Sequence, residues 1–163
     1  MLEKWNAYLA DGTMTVDMLI RGEAIPSGLY HLVVEVVVQH YDGSFLFMKR
    51  DSRKSSYPNY WEITAGGSAL FGESPTEAIQ RELFEETGII ATHFELLEKI
   101  ADPQDACLFY RYYCRVDAEK AAIRLQKGET VDFRWVKKDD LKDFLATKAI
   151  VPWQKRLFTT FFR

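Results

Sequence analysis

Between Gly66 and Ile89 the chain reads GGSALFGESPTEAIQRELFEETGI. Glu73, Glu82, Glu85 and Glu86 crowd together with Arg81, and glycines frame the segment. Carboxylates about 6 Å apart repel by roughly 3 kcal/mol at an effective dielectric near 20. On a solvated helix face the cost is only about 0.2–0.5 kcal/mol per pair. If the face lines a pocket, a cation must relieve the repulsion. Three clustered carboxylates are hard oxygen ligands, which suit Mg²⁺ or Mn²⁺ rather than zinc. Mg²⁺ is usually held by a few carboxylates, waters and substrate phosphates. The chemistry this cluster suits is therefore that of a phosphate-containing substrate.

A helix must position these groups, and its limits are marked. Ser74 is placed as the N-cap, Pro75 as the first helical residue and Glu77 as the partner in a capping box. Gly88 stands where a left-handed residue ends a helix. At 100° per residue, Glu82, Glu85 and Glu86 fall within an arc of about 100°. Ile79 and Leu83, at i and i+4, supply an adjacent apolar stripe.

The rest of the chain reads as strands and short helices. NAYLADGTMTVDML predicts a hairpin turning at Asp11-Gly12, and GLYHLVVEVVVQHYDGSFLFMKR a second one turning at Asp42-Gly43. WEIT is a short strand, and FELLEKIAD, ACLFYRYYCRV and TVDFRWV are longer ones. KKDDLKDFLATK and VPWQKRLFTTFF predict helices near the carboxyl end. Strands mixed with helices at separate places predict an α/β layered sandwich. The 163 residues suit a single domain, with residues 1–29 as an amino-terminal hairpin extension.

Composition narrows the function classes. Apolar residues are 47% and charged residues 28%, the balance of a globular chain. A formal net charge of −3 argues against a nucleic-acid partner, because phosphate-backbone binding wants a basic surface. No apolar run is long enough to cross a bilayer, and the amino terminus has no signal-peptide core. Cys107 and Cys114 fall on opposite faces of one strand, roughly 23 Å apart. They cannot pair, which fits a reducing cytoplasm.

Gly67, Glu73, Arg81, Glu82, Leu83, Glu85, Glu86, Gly88 and Ile89 stand at the spacing of a complete Nudix box. The chain accordingly resembles a Nudix hydrolase. That resemblance implies an α/β/α sandwich with a mixed sheet. It also implies Mg²⁺-dependent attack of water on a diphosphate, usually in a nucleoside diphosphate derivative, with Mn²⁺ as a possible substitute. By the same resemblance Glu82, Glu85 and Glu86 match the metal-binding glutamates. The carbonyl of Gly66 matches a further ligand, and Glu73 with Arg81 a pair that braces the loop. The general base is Glu129, which precedes a strand where relatives place an acidic residue, or else Glu82. The implied partner is a small-molecule diphosphate, and relatives often form homodimers.

Other segments narrow the resemblance. KRDSRKSSYPNYWEIT, ETVDFRWVKKDDL and VPWQKRLF are similar to stretches of isopentenyl-diphosphate isomerases and their Nudix-hydrolase relatives. Arg50 and Lys54 match basic positions that contact diphosphate there, and His31 lies near a metal-binding histidine of the isomerases. Isomerisation needs a cysteine just after the tryptophan strand, where this chain has Ala65 and Gly66. A non-catalytic Nudix-like nucleotide sensor typically loses box glutamates, and this chain keeps them all. Both alternatives therefore rank below hydrolysis. Tyr57, Tyr60, Phe71 and Trp153 are candidates to stack on a base.

Overall fold

The β-branched run LVVEVVV lies in the longest strand of a nine-stranded mixed sheet. The structure, a computed structural model, describes residues 1–162. Its strands are β1 (Lys4–Tyr8), β2 (Met14–Ile20), β3 (Tyr30–His40), β4 (Phe45–Arg50) and β5 (Trp61–Glu62), followed by β6 (Thr64–Ser68), β7 (Glu95–Asp102), β8 (Cys107–Val116) and β9 (Thr130–Val136). Its α-helices are α1 (Pro75–Thr87), α2 (Leu141–Thr147) and α3 (Lys155–Phe161).

Alternation along β3 and β4 builds a core on each side of the sheet. Leu32, Val34, Val36 and Leu46 pack with Ile79 and Leu83 of α1. On the opposite side Val37, Phe45 and Phe47 pack with Phe144 of α2 and Leu157 and Phe158 of α3. The result is the three-layer α/β sandwich expected from the sequence.

Strands β3 and β4 begin as a hairpin, paired at Gln39 and Phe45, and then part. β3 continues against β6 on one side, from Val37–Thr64 to Val33–Ser68, and against β8 in parallel on the other. β4 continues against β5 and β9. The opening between the two halves is lined by groups from both, and the polar cavity described below lies there.

The stretch expected as one strand, WEIT, is broken at Ile63. Its N–H donates to the buried side-chain oxygen of Gln154 at 2.7 Å, and the Gln154 amide donates to Thr64 Oγ1 at 2.9 Å. A residue just before α3 thus takes the bond that a ladder partner would have taken. Beyond the break, β6 carries strand geometry through Gly66 and Gly67 into the start of the box. The box is therefore strand, loop and helix in turn.

One buried guanidinium joins distant elements. Arg111 of β8 donates to Glu35 of β3 and to Glu98 of β7, both at 2.7 Å. Arg156 of α3 shares Glu98 at 2.9 Å, and the Trp153 ring lies 3.9 Å from the Arg111 guanidinium carbon. Burial raises the Glu35 pKa against the opposing pull of Arg111. Both cysteines are free. Among the described residues no helix is long and apolar enough to cross a membrane. Removing one member of a buried ion pair typically costs about 3–5 kcal/mol. Arg111→Ala is expected to lose that much in urea unfolding, because it strands Glu35.

Candidate active site

Helix α1 has the predicted ends. Ser74 Oγ accepts from the Glu77 N–H, the Glu77 carboxylate accepts from the Ser74 N–H, and Gly88 closes the helix at φ 77°. With Ile79 and Leu83 fully buried, the adjacent face bearing Glu82 and Glu86 is turned against β6. The approach is close. A Cβ on Gly67 would lie 2.7 Å from Glu82 Oε1, and one on Gly66 only 2.0 Å from the Val34 carbonyl oxygen. Glycine at 67 lets helix and strand meet, and glycine at 66 lets β6 lie close against β3.

Arg81 organises the loop between them. Its Nε and Nη2 donate to the two carboxylate oxygens of Glu73 at 2.6 and 2.9 Å. Nη2 also donates to the Ser68 carbonyl, while Nη1 reaches Glu82 at 2.7 Å and Glu85 at 3.2 Å. Glu73 in turn accepts from the Leu70 N–H at 2.8 Å. The hydrogen bond from Arg81 lowers the Glu73 pKa, and the same contact raises that of Arg81. Arg81 thus supplies part of the positive charge that the crowded carboxylates require.

Glu86 is treated differently. Its residue is only 9% exposed. It accepts one hydrogen bond, from the Gly66 N–H at 3.2 Å, and among the described residues no lysine or arginine pairs with it. Burial pushes its pKa well up, and the nearby Glu62 and Glu82 charges push it further. Burial also raises Glu82, against the pull of Arg81. Glu85 is the most open of the three, with its side chain 43% exposed.

These groups border a polar cleft of about 450 Å³ that adjoins a deeper cavity of about 120 Å³. Lys54, Gly66, Glu86 and Glu129 line both. Lys54 pairs with Glu129, and the Asp51 N–H donates to the Glu129 carbonyl at 2.9 Å, so two loops meet there. Arg50 lies in the deeper cavity, where Nη1 donates to Glu62 at 2.8 Å, and its guanidinium also holds the Ser56 carbonyl. Of the residues singled out from sequence, Arg50, Lys54, Gly66, Arg81, Glu82, Glu85, Glu86 and Glu129 line this region, Glu73 joins it through Arg81, and His31 and the four aromatic candidates do not line it. The His31 ring stacks on Trp5 at 4.1 Å, with Cys107 Sγ 3.7 Å from Nε2. Of the aromatic candidates, Tyr57 and Phe71 are exposed, and Trp153 lies against Arg111.

A NUDIX domain is matched over residues 29–161. The chain belongs to the Nudix hydrolase family. An uncharacterized Nudix hydrolase of Listeria monocytogenes serovar 1/2a is 31% identical over 152 residues, covering 93% of this chain and 90% of that protein. The 8-oxo-dGTP diphosphatase of Escherichia coli K12 is 28% identical over 129 residues, 77% of this chain and 98% of that one. Among solved structures, DR0079 of Deinococcus radiodurans shares the fold with a TM-score of 0.75 at 20% identity, over 99% of this chain and 100% of that one.

Nudix hydrolases generally use divalent metal ions. The residues here fit such an ion by their chemistry. A buried carboxylate with a single amide donor, beside two further glutamates, is a hard-oxygen donor set short of positive charge. The described residues hold no ready-made group of three His, Cys, Asp or Glu ligands, and Arg81 engages Glu82 and Glu85.

Sequence reasoning missed Glu35 and Glu62, which line the deeper cavity. A signal for Glu35 was present, because it is the lone charge inside LVVEVVV. Burying an uncompensated charge costs free energy. Glu86→Gln keeps an acceptor for Gly66 and removes that charge, so it is expected to stabilise the metal-free protein by about 1–3 kcal/mol at pH 8. In thermal unfolding, added Mn²⁺ then raises the Tm of the wild type and leaves that of the variant in place.

Proposed function

We propose that the protein hydrolyses a diphosphate linkage in a nucleoside diphosphate derivative or similar organic diphosphate, with Mg²⁺ as cofactor and Mn²⁺ able to replace it. The observation that carries this reading is the uncompensated Glu86 carboxylate at the floor of a cleft that also presents Lys54 and Glu129. Glu82, Glu85, Glu86 and the Gly66 carbonyl would hold the metal. When bound, it neutralises charge on the diphosphate and acidifies a nearby water.

The chain supplies the rest. Glu129 accepts the proton of the attacking water as a new P–O bond forms and the bridging P–O bond breaks. Glu129 is favoured over Glu82 because its carboxylate is the more open, 40% exposed, and is paired with Lys54 rather than locked into the Arg81 network. Lys54 and Arg50 bind diphosphate oxygens, a role supported by their place in the deeper cavity. Glu73 and Arg81 are positioning residues: they hold Glu82 and the loop without contacting the reacting phosphorus. An isomerase reading is disfavoured, because Cys107 sits beside His31 rather than in the cleft.

The test is a screen of diphosphate compounds with Mg²⁺ or Mn²⁺, scored by released phosphate or monophosphate. It includes nucleoside diphosphate sugars, 8-oxo-dGTP and isopentenyl diphosphate. Turnover that vanishes with chelator is expected; ligand binding without turnover at any metal concentration would instead indicate a sensor. On a substrate so found, Glu86→Gln is expected to lower kcat by more than about 100-fold, beyond what loss of an outer partner costs. Glu129→Gln should lower it by about 10²–10⁴-fold. Near wild-type turnover in Glu129→Gln, with none in Glu82→Gln, would transfer the base role to Glu82.

A further inference from the structure

One wall of the cleft comes from outside the matched Nudix domain. Glu3 and Arg21, both before residue 29, line it together with the box residues. They belong to the amino-terminal hairpin, which joins the sheet through β1 against β3. The hairpin also holds the box loop. The Phe71 N–H donates to the Lys4 carbonyl at 2.8 Å, and the Gly72 N–H to Asn6 Oδ1 at 3.3 Å. Its position is therefore tied to the loop that carries Glu73.

Within the hairpin, Arg21 is set in place from the core outward. Trp5 is buried and stacked on His31. Its Nε1 donates to Glu3 Oε1 at 2.7 Å, while Glu3 Oε2 accepts from Arg21 Nη1 at 3.1 Å. The Arg21 N–H donates to the Glu3 carbonyl at 2.9 Å. The chain thus fixes the base of the side chain and orients its head.

The charges of the cleft give this arginine a purpose. Five carboxylates line it against three cations, so an incoming polyanion needs every positive group that is free. Arg81 is committed to three glutamates and a carbonyl, and Lys54 divides its single charge between Glu129 and the diphosphate. Arg21 is 66% exposed and is held by a single partially exposed glutamate. Such a pair contributes little to stability and is easily exchanged for a better acceptor. A phosphate oxygen is one, since guanidinium matches phosphate geometry in a two-pronged contact.

We propose that Arg21 is a substrate-binding residue that contacts a phosphate oxygen of the diphosphate, which makes the amino-terminal hairpin a functional wall of the site. This rests on the diphosphate reading above. Binding of methylenediphosphonate in the presence of Mn²⁺, measured by calorimetry, tests it without turnover. Mn²⁺ binding alone is followed by electron paramagnetic resonance.

Arg21→Gln is expected to weaken diphosphonate binding about 10-fold, the scale of one charge-assisted hydrogen bond, with Mn²⁺ affinity unchanged. Arg21→Lys should recover part of the loss. Glu3→Gln separates binding from scaffolding. It frees Arg21 and removes a competing carboxylate, so affinity is expected to stay level or rise. If Glu3→Gln weakens binding as much as Arg21→Gln, the pair only holds the hairpin, and the proposal is overturned. Wild-type affinity in Arg21→Gln overturns it too, and if Glu86→Gln still loses Mn²⁺ the diphosphate reading stands. No diphosphonate binding by the wild type, with Mn²⁺ bound equally by Glu86→Gln, overturns both.

Discussion

The structure turns on the balance between one guanidinium and the carboxylates around it. Arg81 is the point where strand β6, the box loop and helix α1 are tied together, through Ser68, Glu73, Glu82 and Glu85. Bidentate Arg–carboxylate contacts fix orientation as well as distance. The loop therefore has a defined path although it is neither strand nor helix. The same contacts leave one carboxylate out. Glu86 lies one turn beyond Glu82, deeper against β6, and its neighbours are acids rather than bases. One guanidinium charge does not balance the three glutamates it holds, and Glu86 has none, so the site is suited to taking up a cation.

A second constraint lies in the sheet. Strands β3 and β4 leave their shared turn as a hairpin and then follow different partners. That parting opens a polar cavity inside a sheet otherwise packed on both faces. Glu35 and Glu62 can occupy it because each has its own arginine, Arg111 and Arg50. Buried charges persist where they are paired and hydrogen-bonded. The Arg111 pair also links the cavity to β7, β8 and α3 through Glu98 and Arg156.

The amino-terminal hairpin extends this logic outward. The matched Nudix domain supplies the glutamate-bearing helix α1 and the split sheet. An element outside that domain braces the box loop and adds a cation to the rim. Variation at such an edge can change what is bound without disturbing the chemistry beneath it, because loops and edges tolerate change better than the packed core.

What the sequence alone determined about this protein is what short-range physics controls. The limits of α1 were legible because Ser74, Pro75, Glu77 and Gly88 act within a turn of where they stand. The grouping of Glu82, Glu85 and Glu86 followed from the helix repeat, and the two hairpins from Asp11-Gly12 and Asp42-Gly43. Tertiary structure alone decided which acids share the cavity and which cations answer them. Glu35 meets Arg111 only because β3 and β8 pair in parallel across 76 residues of chain. Lys54 meets Glu129 because two loops are stitched by a backbone bond, and Arg21 meets the cleft because β1 adds to the edge of β3. No local periodicity encodes such meetings, since they depend on strand order, and strand order is set by how the whole apolar surface is buried.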